Sequence, residues 1–342
     1  MKLIKTEDAV GQVLCQDITQ IIRGVTKDAV FRKGHIVREE DIPVLLSVGK
    51  EHLYVWENDD SMLHENEAAQ ILYEICAGAN MHGSEEKEGK IELIADMDGL
   101  LKIDREHLLA VNRLGEMMIA SIHGDFPVRK GDKLAGTRII PLVIEKEKME
   151  RARRTAGSTP LFQVLPFRHK KIGIVTTGSE VFKGRIKDTF GPVIRDKVAE
   201  FPTEVIRQIY VDDDKKGIRE AILQQISDGA DCVICTGGMS VDPDDCTPGA
   251  IQATGAEVIT YGAPVLPGAM LCVAYYRAAD RTVPILGLPG CVMYAKRTVF
   301  DLVLPRIMAD DPISAEDIAS MGEGGLCLNC AVCTFPNCGF GK

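Results

Sequence analysis

Three short, continuously apolar runs constrain this chain more than any other feature: Lys171-Ile172-Gly173-Ile174-Val175-Thr176-Thr177, Asp231-Cys232-Val233-Ile234-Cys235-Thr236 and Val283-Pro284-Ile285-Leu286-Gly287. A run with no alternating polar positions suits a strand buried on both faces, the condition of a parallel sheet. Helical patterns separate and follow them at Pro192 to Glu200, Lys215 to Ile226, Pro248 to Ala253 and Tyr294 to Met308, the last interrupted or ended near Pro305. Strands at Glu204 to Val211 and Glu257 to Tyr261 complete the alternation. The expected fold is α/β, a doubly wound parallel sheet with helices on both faces. Ligands of such a sheet sit outside the carboxyl ends of its strands.

The 342 residues exceed one ordinary core. Residues 1–160 read as a mixed α+β region. Turns stand at Arg23-Gly24 and Lys33-Gly34-His35, a short helix at Arg38 to Gly49, and a strand at Leu53 to Trp56. Glu65 to Ala77 has helical apolar spacing, and strand-like pieces at Ile91 and Met117 flank a helical Asp104 to Leu109. The charge run Glu145 to Arg154 shows no apolar face and reads as a solvated helix or connector, with a boundary at Ala156 to Pro160. The expected domains are 1–160, 161–310 and a flexible tail, 311–342.

The net charge of −10 argues against general nucleic-acid binding, which rests on a basic surface. No apolar run nears the ~20 residues needed to span a bilayer. The opening MKLIKTEDAVGQVL lacks a basic stretch followed by a long apolar core, so a cytoplasmic location is the default expectation. The seven histidines show no metal-ligand spacing and read as surface or satisfied core residues.

Three glycine-bearing loops follow buried strands: Thr176-Thr177-Gly178-Ser179-Glu180, Thr236-Gly237-Gly238-Met239-Ser240 and Leu288-Pro289-Gly290. Gly237 and Gly238 allow close approach of a ligand, and their amides with the hydroxyls of Thr236 and Ser240 suit a phosphate. Carboxylates gather on the same edge at Glu180, Asp188, Asp212 to Asp214 and Asp242-Pro243-Asp244-Asp245. Converging acids repel unless a cation sits among them, and magnesium suits such a place. Asp214 reads as a helix cap. Asp245 reads as functional because it follows the Gly-Gly loop.

Thr176 to Val181, Asp188-Thr189-Phe190-Gly191-Pro192, Thr236 to Ser240, Asp245-Cys246-Thr247-Pro248 and Leu286 to Gly290 together resemble the molybdopterin-binding domain shared by the MogA and MoeA families. The resemblance covers roughly 140 residues in order and spacing. It implies that Gly237, Gly238 and Ser240 bind the phosphate side of the pterin. Thr177, Gly178, Ser179, Thr236, Pro289 and Gly290 join the cofactor-binding set, and Asp188 lines the pterin pocket. It further implies that Glu180, Asp245 and one of Asp212 or Asp213 (Asp213 in the set carried forward) act in catalysis and hold magnesium or molybdate. Ala9 to Ile18 and Gly131 to Ile140 are similar to MoeA-type proteins, whose members insert molybdate into adenylylated molybdopterin and release AMP. That implies a molybdopterin molybdenumtransferase and, by the same resemblance, a homodimer. Two departures stand out. The early Ser-x-Met-Asp-Gly-Tyr-Ala stretch of MoeA-type proteins is missing, with Val25 to Gly34 in its place, and Leu266 precedes Pro267-Gly268 where the family has a lysine. Losing that cation removes a charge-assisted contact of ~1.5–3 kcal/mol, for which Lys296 and Arg297 are candidate substitutes.

Seven of the eleven cysteines are scattered and read as small buried hydrophobes. The other four, Cys327, Cys330, Cys333 and Cys338, form a C-x2-C-x2-C-x4-C series that suits an iron–sulfur cluster or zinc. Two alternatives to an insertase therefore stay open. One is a non-catalytic pterin carrier serving a molybdoenzyme; the other is a metal- or redox-responsive regulator.

Overall fold

The computed structural model describes residues 2–22, 26–55, 61–240, 242 and 245–342. The Arg23-Gly24 turn, Val25, Trp56, and Pro243 and Asp244 of the acidic run lie outside these residues. The chain divides into two units. The first comprises Met1–Asp96, Ile103–Ile122 and Lys130–Gln163, the second Met97–Lys102, His123–Arg129 and Val164–Lys342.

The first unit is built on a four-stranded antiparallel sheet in the order Met81–Gly83, Lys90–Ala95, Lys133–Ile139, Met117–Ser121. Helix Glu65–Cys76 packs on it through Ala68, Ala69, Leu72, Ile75 and Cys76, the helical spacing visible in the sequence. The helix is started by a capping box in which His64 accepts from Asn66 N–H and Glu67 accepts from His64 N–H. The charge run is a helix, Lys146–Ala156, but not a solvated one. Met149, Ala152 and Ala156, spaced three and four apart, are buried against helices Glu65–Cys76 and Arg105–Asn112. A seam of one methionine and two alanines is too narrow to stand out among eight charges. A separate small cluster gathers Leu14, Ile18, Val37, Leu45 and Leu53.

In the second unit the expected alternation appears as β1 (Lys170–Thr177), α1 (Phe190–Val198), β2 (Thr203–Val211), α2 (Lys215–Ser227), β3 (Cys232–Thr236), α3 (Thr247–Ala253), β4 (Glu257–Tyr261), β5 (Cys272–Arg277), β6 (Thr282–Leu288), α4 (Val299–Met308) and α5 (Ala315–Ser320). The sheet order is β2-β1-β3-β6-β5-β4. β1, β2, β3 and β6 are mutually parallel. β5 is antiparallel to both its neighbours, so the sheet is mixed rather than purely parallel. The reason is the link between β5 and β6: Ala278 N–H donates to Arg281 C=O at 2.9 Å, and a connection this short can only reverse the chain. α4 starts later than expected, at Val299, and runs through Pro305.

Alternate residues of the central strands feed two cores, as a pleated strand buried on both faces requires. Ile172, Ile174, Cys232, Ile234, Leu286 and Leu288 face α1 and α4. Val175, Val233, Cys235 and Ile285 face α2 and α3. Burial pushes the Cys232 thiol up to about 12 and that of Cys272 to about 11, which fits inert core cysteines. Gln225 is fully buried at the irregular register between β1 and β2, where its amide donates to Ile174 C=O (2.9 Å) and Arg207 C=O (3.1 Å). α1 is tied to α4 by a buried ion pair, Lys197 Nζ lying 2.7 and 2.9 Å from the two Asp301 oxygens.

Residues 311–342 are part of this unit and not a loose appendage. Phe340 is buried, and Cys327, Phe335 and Cys338 pack on the α1/α4 core. Among the described residues no helix is long and apolar enough to cross a membrane.

Candidate ligand site at the carboxyl edge of the sheet

The loops leaving β1, β3 and β6 meet at one edge, as the strand register requires: Thr176 pairs with Thr236, and Thr236 with Leu288. Their threonines knit them together. Thr236 Oγ1 donates to Thr176 Oγ1 (3.2 Å), and Gln208 Nε2 donates to the same oxygen at 2.9 Å. Thr247 Oγ1 donates to Gly237 C=O at 2.8 Å and lies 3.4 Å from Thr177 Oγ1. Gly237 and Gly238 have φ of +89° and +56°. A Cβ at Gly237 would stand 2.3 Å from Thr177 C=O. The neighbouring loop therefore demands this glycine, whether or not a ligand approaches.

A cavity of about 510 Å³ opens beside these loops. Gly237, Gly238, Ser240 and Asp245 line one side, Leu288, Pro289, Gly290, Cys291 and Tyr294 another, and Leu266 to Met270 a third, with Phe190 and Met239 completing it. Of the residues expected to bind the ligand, Gly237, Gly238, Ser240, Asp245, Pro289 and Gly290 are brought together here. Thr177, Gly178, Ser179, Glu180, Asp213 and Thr236 are not among the lining residues. Thr177 and Thr236 are buried and bonded within the loops, so they support the site from behind. Asp188 lines a second hollow of about 470 Å³ with Phe182, Ile186, Lys187, Arg195 and Tyr210.

Asp214 caps its helix as expected, and Asp213, Asp245 and Asp188 also accept from backbone amides. Asp213 accepts from Ser179 N–H at 2.9 Å, Asp245 from Ser240 N–H at 2.8 Å, and Asp214 from Gly217 N–H at 2.8 Å. Asp188 accepts from Phe190 and Gly191 N–H (2.9 and 3.1 Å), from Gln208 Nε2 (2.7 Å) and from Tyr210 OH (3.2 Å). Each acid closes a loop by capping an amide. Among the described residues no three of His, Cys, Asp and Glu gather where they could hold a metal ion. Glu180, Asp213 and Asp245 therefore do not form the expected magnesium site, and the donor set does not fit a protein-held divalent cation. The same holds for Cys327, Cys330, Cys333 and Cys338 as they stand.

Lys296 and Arg297 do not substitute for a lysine at Leu266. Lys296 Nζ donates to Ala331 C=O at 3.1 Å, and Arg297 is committed to Asp301 (2.8 Å) and Glu200 (3.3 Å). The cavity's described lining carries no Lys or Arg. Of the other lining residues, Phe190 lies in the Asp188 to Pro192 stretch and Leu266 to Gly268 at the place where the resemblance expects a lysine before Pro-Gly, whereas Ala269, Met270 and Tyr294 belong to no motif.

The first unit has a hollow of its own, about 390 Å³, lined by charges of both signs and by His64. His64 Nε2 bonds to Cys15 C=O at 2.8 Å and burial holds its pKa below the ordinary range. His35, His82 and His107 each pair with one aspartate, Asp41, Asp96 and Asp104.

Residues 173–309 match the family described as "Probable molybdopterin binding domain", and residues 3–57 match a domain of unknown function (DUF8806). A molybdopterin molybdenumtransferase of Synechococcus elongatus is 25% identical over 202 residues, 54% of this chain and 47% of the relative. A molybdopterin adenylyltransferase of Pyrococcus furiosus is 29% identical over 139 residues, 37% of this chain and 80% of the relative. The chain thus spans about half the length of the molybdenumtransferase it matches. Among solved structures, the tungsten cofactor synthesizing protein MoaB of Pyrococcus furiosus aligns at 24% identity and a TM-score of 0.33, covering 36% of this chain and 84% of that one.

Proposed function

We propose, from the match of residues 173–309 to the family described as "Probable molybdopterin binding domain", that this chain binds molybdopterin in the cavity between the β3 loop, the β6 loop and Leu266 to Met270, and acts in molybdenum cofactor biosynthesis. The observation that carries the reading is the cavity itself. Its volume of about 510 Å³ falls in the ordinary range for small-ligand sites, roughly 300–1,000 Å³. Apolar walls from Leu266 to Met270 and from Leu288 to Gly290, with Phe190 and Tyr294, suit the faces of a flat heteroaromatic ring. The Gly237-Gly238 backbone, Ser240 and the Asp245 carboxylate supply the polar side. A ligand phosphate reaching Ser240 N–H has to displace the Asp245 carboxylate, which ties ligand entry to movement of that acid.

Molybdate insertion is the finer reading, and a homodimer goes with it as in MoeA-type proteins. Asp245 is the one acid of the expected catalytic set that lines the cavity. A carrier role, delivering the pterin to a molybdoenzyme without turnover, is favoured by one specific observation: the cavity wall presents Leu266 where the family carries a lysine. Without a cation there, little in the described lining stabilises charge on a departing phosphate. We expect anaerobic incubation with adenylylated molybdopterin, magnesium and molybdate to leave pterin bound with AMP release at background, in the wild type and in Asp245→Asn alike. Molybdate-dependent AMP release by the wild type that falls at least ~10-fold in Asp245→Asn identifies an insertase and defeats the carrier reading.

A further inference from the structure

The hollow of about 470 Å³ that Asp188 lines is left unused by pterin binding in the first cavity. It is built from Val181 to Asp188 after β1, from Pro192 and Arg195 of α1, and from Gln208 and Tyr210 of β2. One carboxylate holds its shape. Asp188 accepts from Phe190 and Gly191 N–H, from Gln208 Nε2 at 2.7 Å and from Tyr210 OH at 3.2 Å. Four donors fill the acceptor sites of two oxygens, so Asp188 is a strut and has no lone pair left for a ligand. Gln208 Nε2 also donates to Thr176 Oγ1 (2.9 Å), while its Oε1 accepts from Arg195 at 3.3 Å. The packing is close enough to demand Gly191, where a Cβ would stand 2.4 Å from Asp188 Oδ2 and 2.5 Å from Gln208 Nε2.

The charges of the hollow do not balance. A neutral amide positions the Arg195 guanidinium, so its charge stays uncompensated. Lys187 lines the same hollow, and among the described residues neither cation forms an ion pair. Lys183 of the same loop is, by contrast, paired with Asp212 at 3.2 Å. A chain of net charge −10 thus presents two open cations beside one acid already saturated by donors. The remaining wall is apolar and uncovered: Phe182, Ile186 and Tyr210 are 51%, 57% and 43% exposed. A single exposed apolar side chain is ordinary, but three around one hollow make a surface suited to contact.

Together these groups call for an anion joined to a flat ring. An arginine fork and a lysine suit a phosphate, and a phosphate monoester, near −2 at neutral pH, matches two cations better than a carboxylate does. Aromatic side chains suit the face of a heterocycle, and the volume lies in the range of small-ligand sites. We propose that this hollow is a second ligand site and that it takes a nucleoside monophosphate, with the phosphate on Lys187 and Arg195 and the base against Phe182 and Tyr210. Nothing in this step depends on pterin binding, so the proposal and the functional reading fail separately.

The test is calorimetric titration of the full chain with AMP, adenosine and inorganic phosphate. The expected result is one AMP per chain, with adenosine and phosphate each at least ~10-fold weaker because each supplies only half of the contacts. Lys187→Gln and Arg195→Gln, whose side chains are exposed, keep the wild-type melting curve and each weaken AMP binding by about tenfold or more. Added salt weakens AMP binding to the wild type more than to either variant. Gly290→Trp, aimed at the first cavity, binds AMP as the wild type does. Absence of AMP binding, or AMP held no tighter than inorganic phosphate, overturns the proposal. So does AMP binding that survives both glutamine substitutions or is lost in Gly290→Trp.

Discussion

Gly237→Ala is expected to lower the melting temperature of the second unit by roughly 5–15 °C, at about 2–4 °C per kcal/mol, and to abolish ligand binding. Two costs add. An alanine at φ +89° occupies left-handed backbone, which costs about 1–2 kcal/mol. Its Cβ would also stand 2.3 Å from Thr177 C=O, a backbone atom of β1 that cannot swing away. Overpacking of this kind adds about 1–3 kcal/mol. Gly290→Ala is the control: a Cβ there meets nothing within 4 Å, so calorimetry is expected to find its melting curve unchanged. Equal curves for Gly237→Ala and Gly290→Ala would refute the claim that the β3 loop is held against β1.

The second large effect is expected at the ion pair between α1 and α4. Asp301 accepts from Lys197 Nζ (2.7 and 2.9 Å), Arg297 (2.8 Å) and Thr298 N–H (2.7 Å) while 8% exposed. Asp301→Ala leaves Lys197, equally buried, without a counter-ion, and removes the N-terminal capping box of α4. Breaking a buried pair by removing one partner costs about 3–5 kcal/mol. The urea midpoint is expected to fall accordingly with the slope unchanged. Lys197→Met combined with Asp301→Leu is expected to lose less than Asp301→Ala alone, because no isolated buried charge remains. A double variant less stable than the single one would mean that the pair stabilises beyond its own desolvation cost.

Much of the second unit is legible from residues alone because its strands are buried on both faces, and such strands announce themselves as unbroken apolar runs. β1, β3 and β6 are found that way. β5 was not assigned, although Leu271 to Tyr276 is as apolar as the others, because strict strand–helix alternation reserves that stretch for a helix. Only the four-residue reversal at Ala278 to Arg281 reveals a hairpin. The helix at Lys146–Ala156 was read as solvated because its buried seam is so narrow. Docking of the C-terminal segment was equally hidden, since Phe335 and Phe340 anchor it with no periodic pattern.

The site was legible in its glycines and not in its acids. Gly237, Gly238, Pro289 and Gly290 line the cavity at the carboxyl edge, a position set by topology and so visible in the order of the strands. Asp188, Asp213 and Asp245 were read as ligands to a cation or a pterin, yet each caps loop amides. A metal-ligating aspartate and a capping aspartate are the same letter beside the same glycines and serines, and only the geometry separates them. Leu266 shows in the sequence only as a missing lysine before Pro267-Gly268, and Met270 and Tyr294 do not show at all, because an apolar wall has no motif.

Pterin retention by the wild type and by Gly290→Trp tests the central claim most directly. Gly290 lines the cavity and has open space at its Cβ position, so a tryptophan there is a substitution aimed at filling the pocket. Both proteins are incubated anaerobically with molybdopterin and desalted, and bound pterin is quantified by fluorescence after oxidation. The expected result is one pterin per wild-type chain and none on the variant, with identical melting curves. Equal retention by both proteins, or retention by neither, would contradict binding in this cavity.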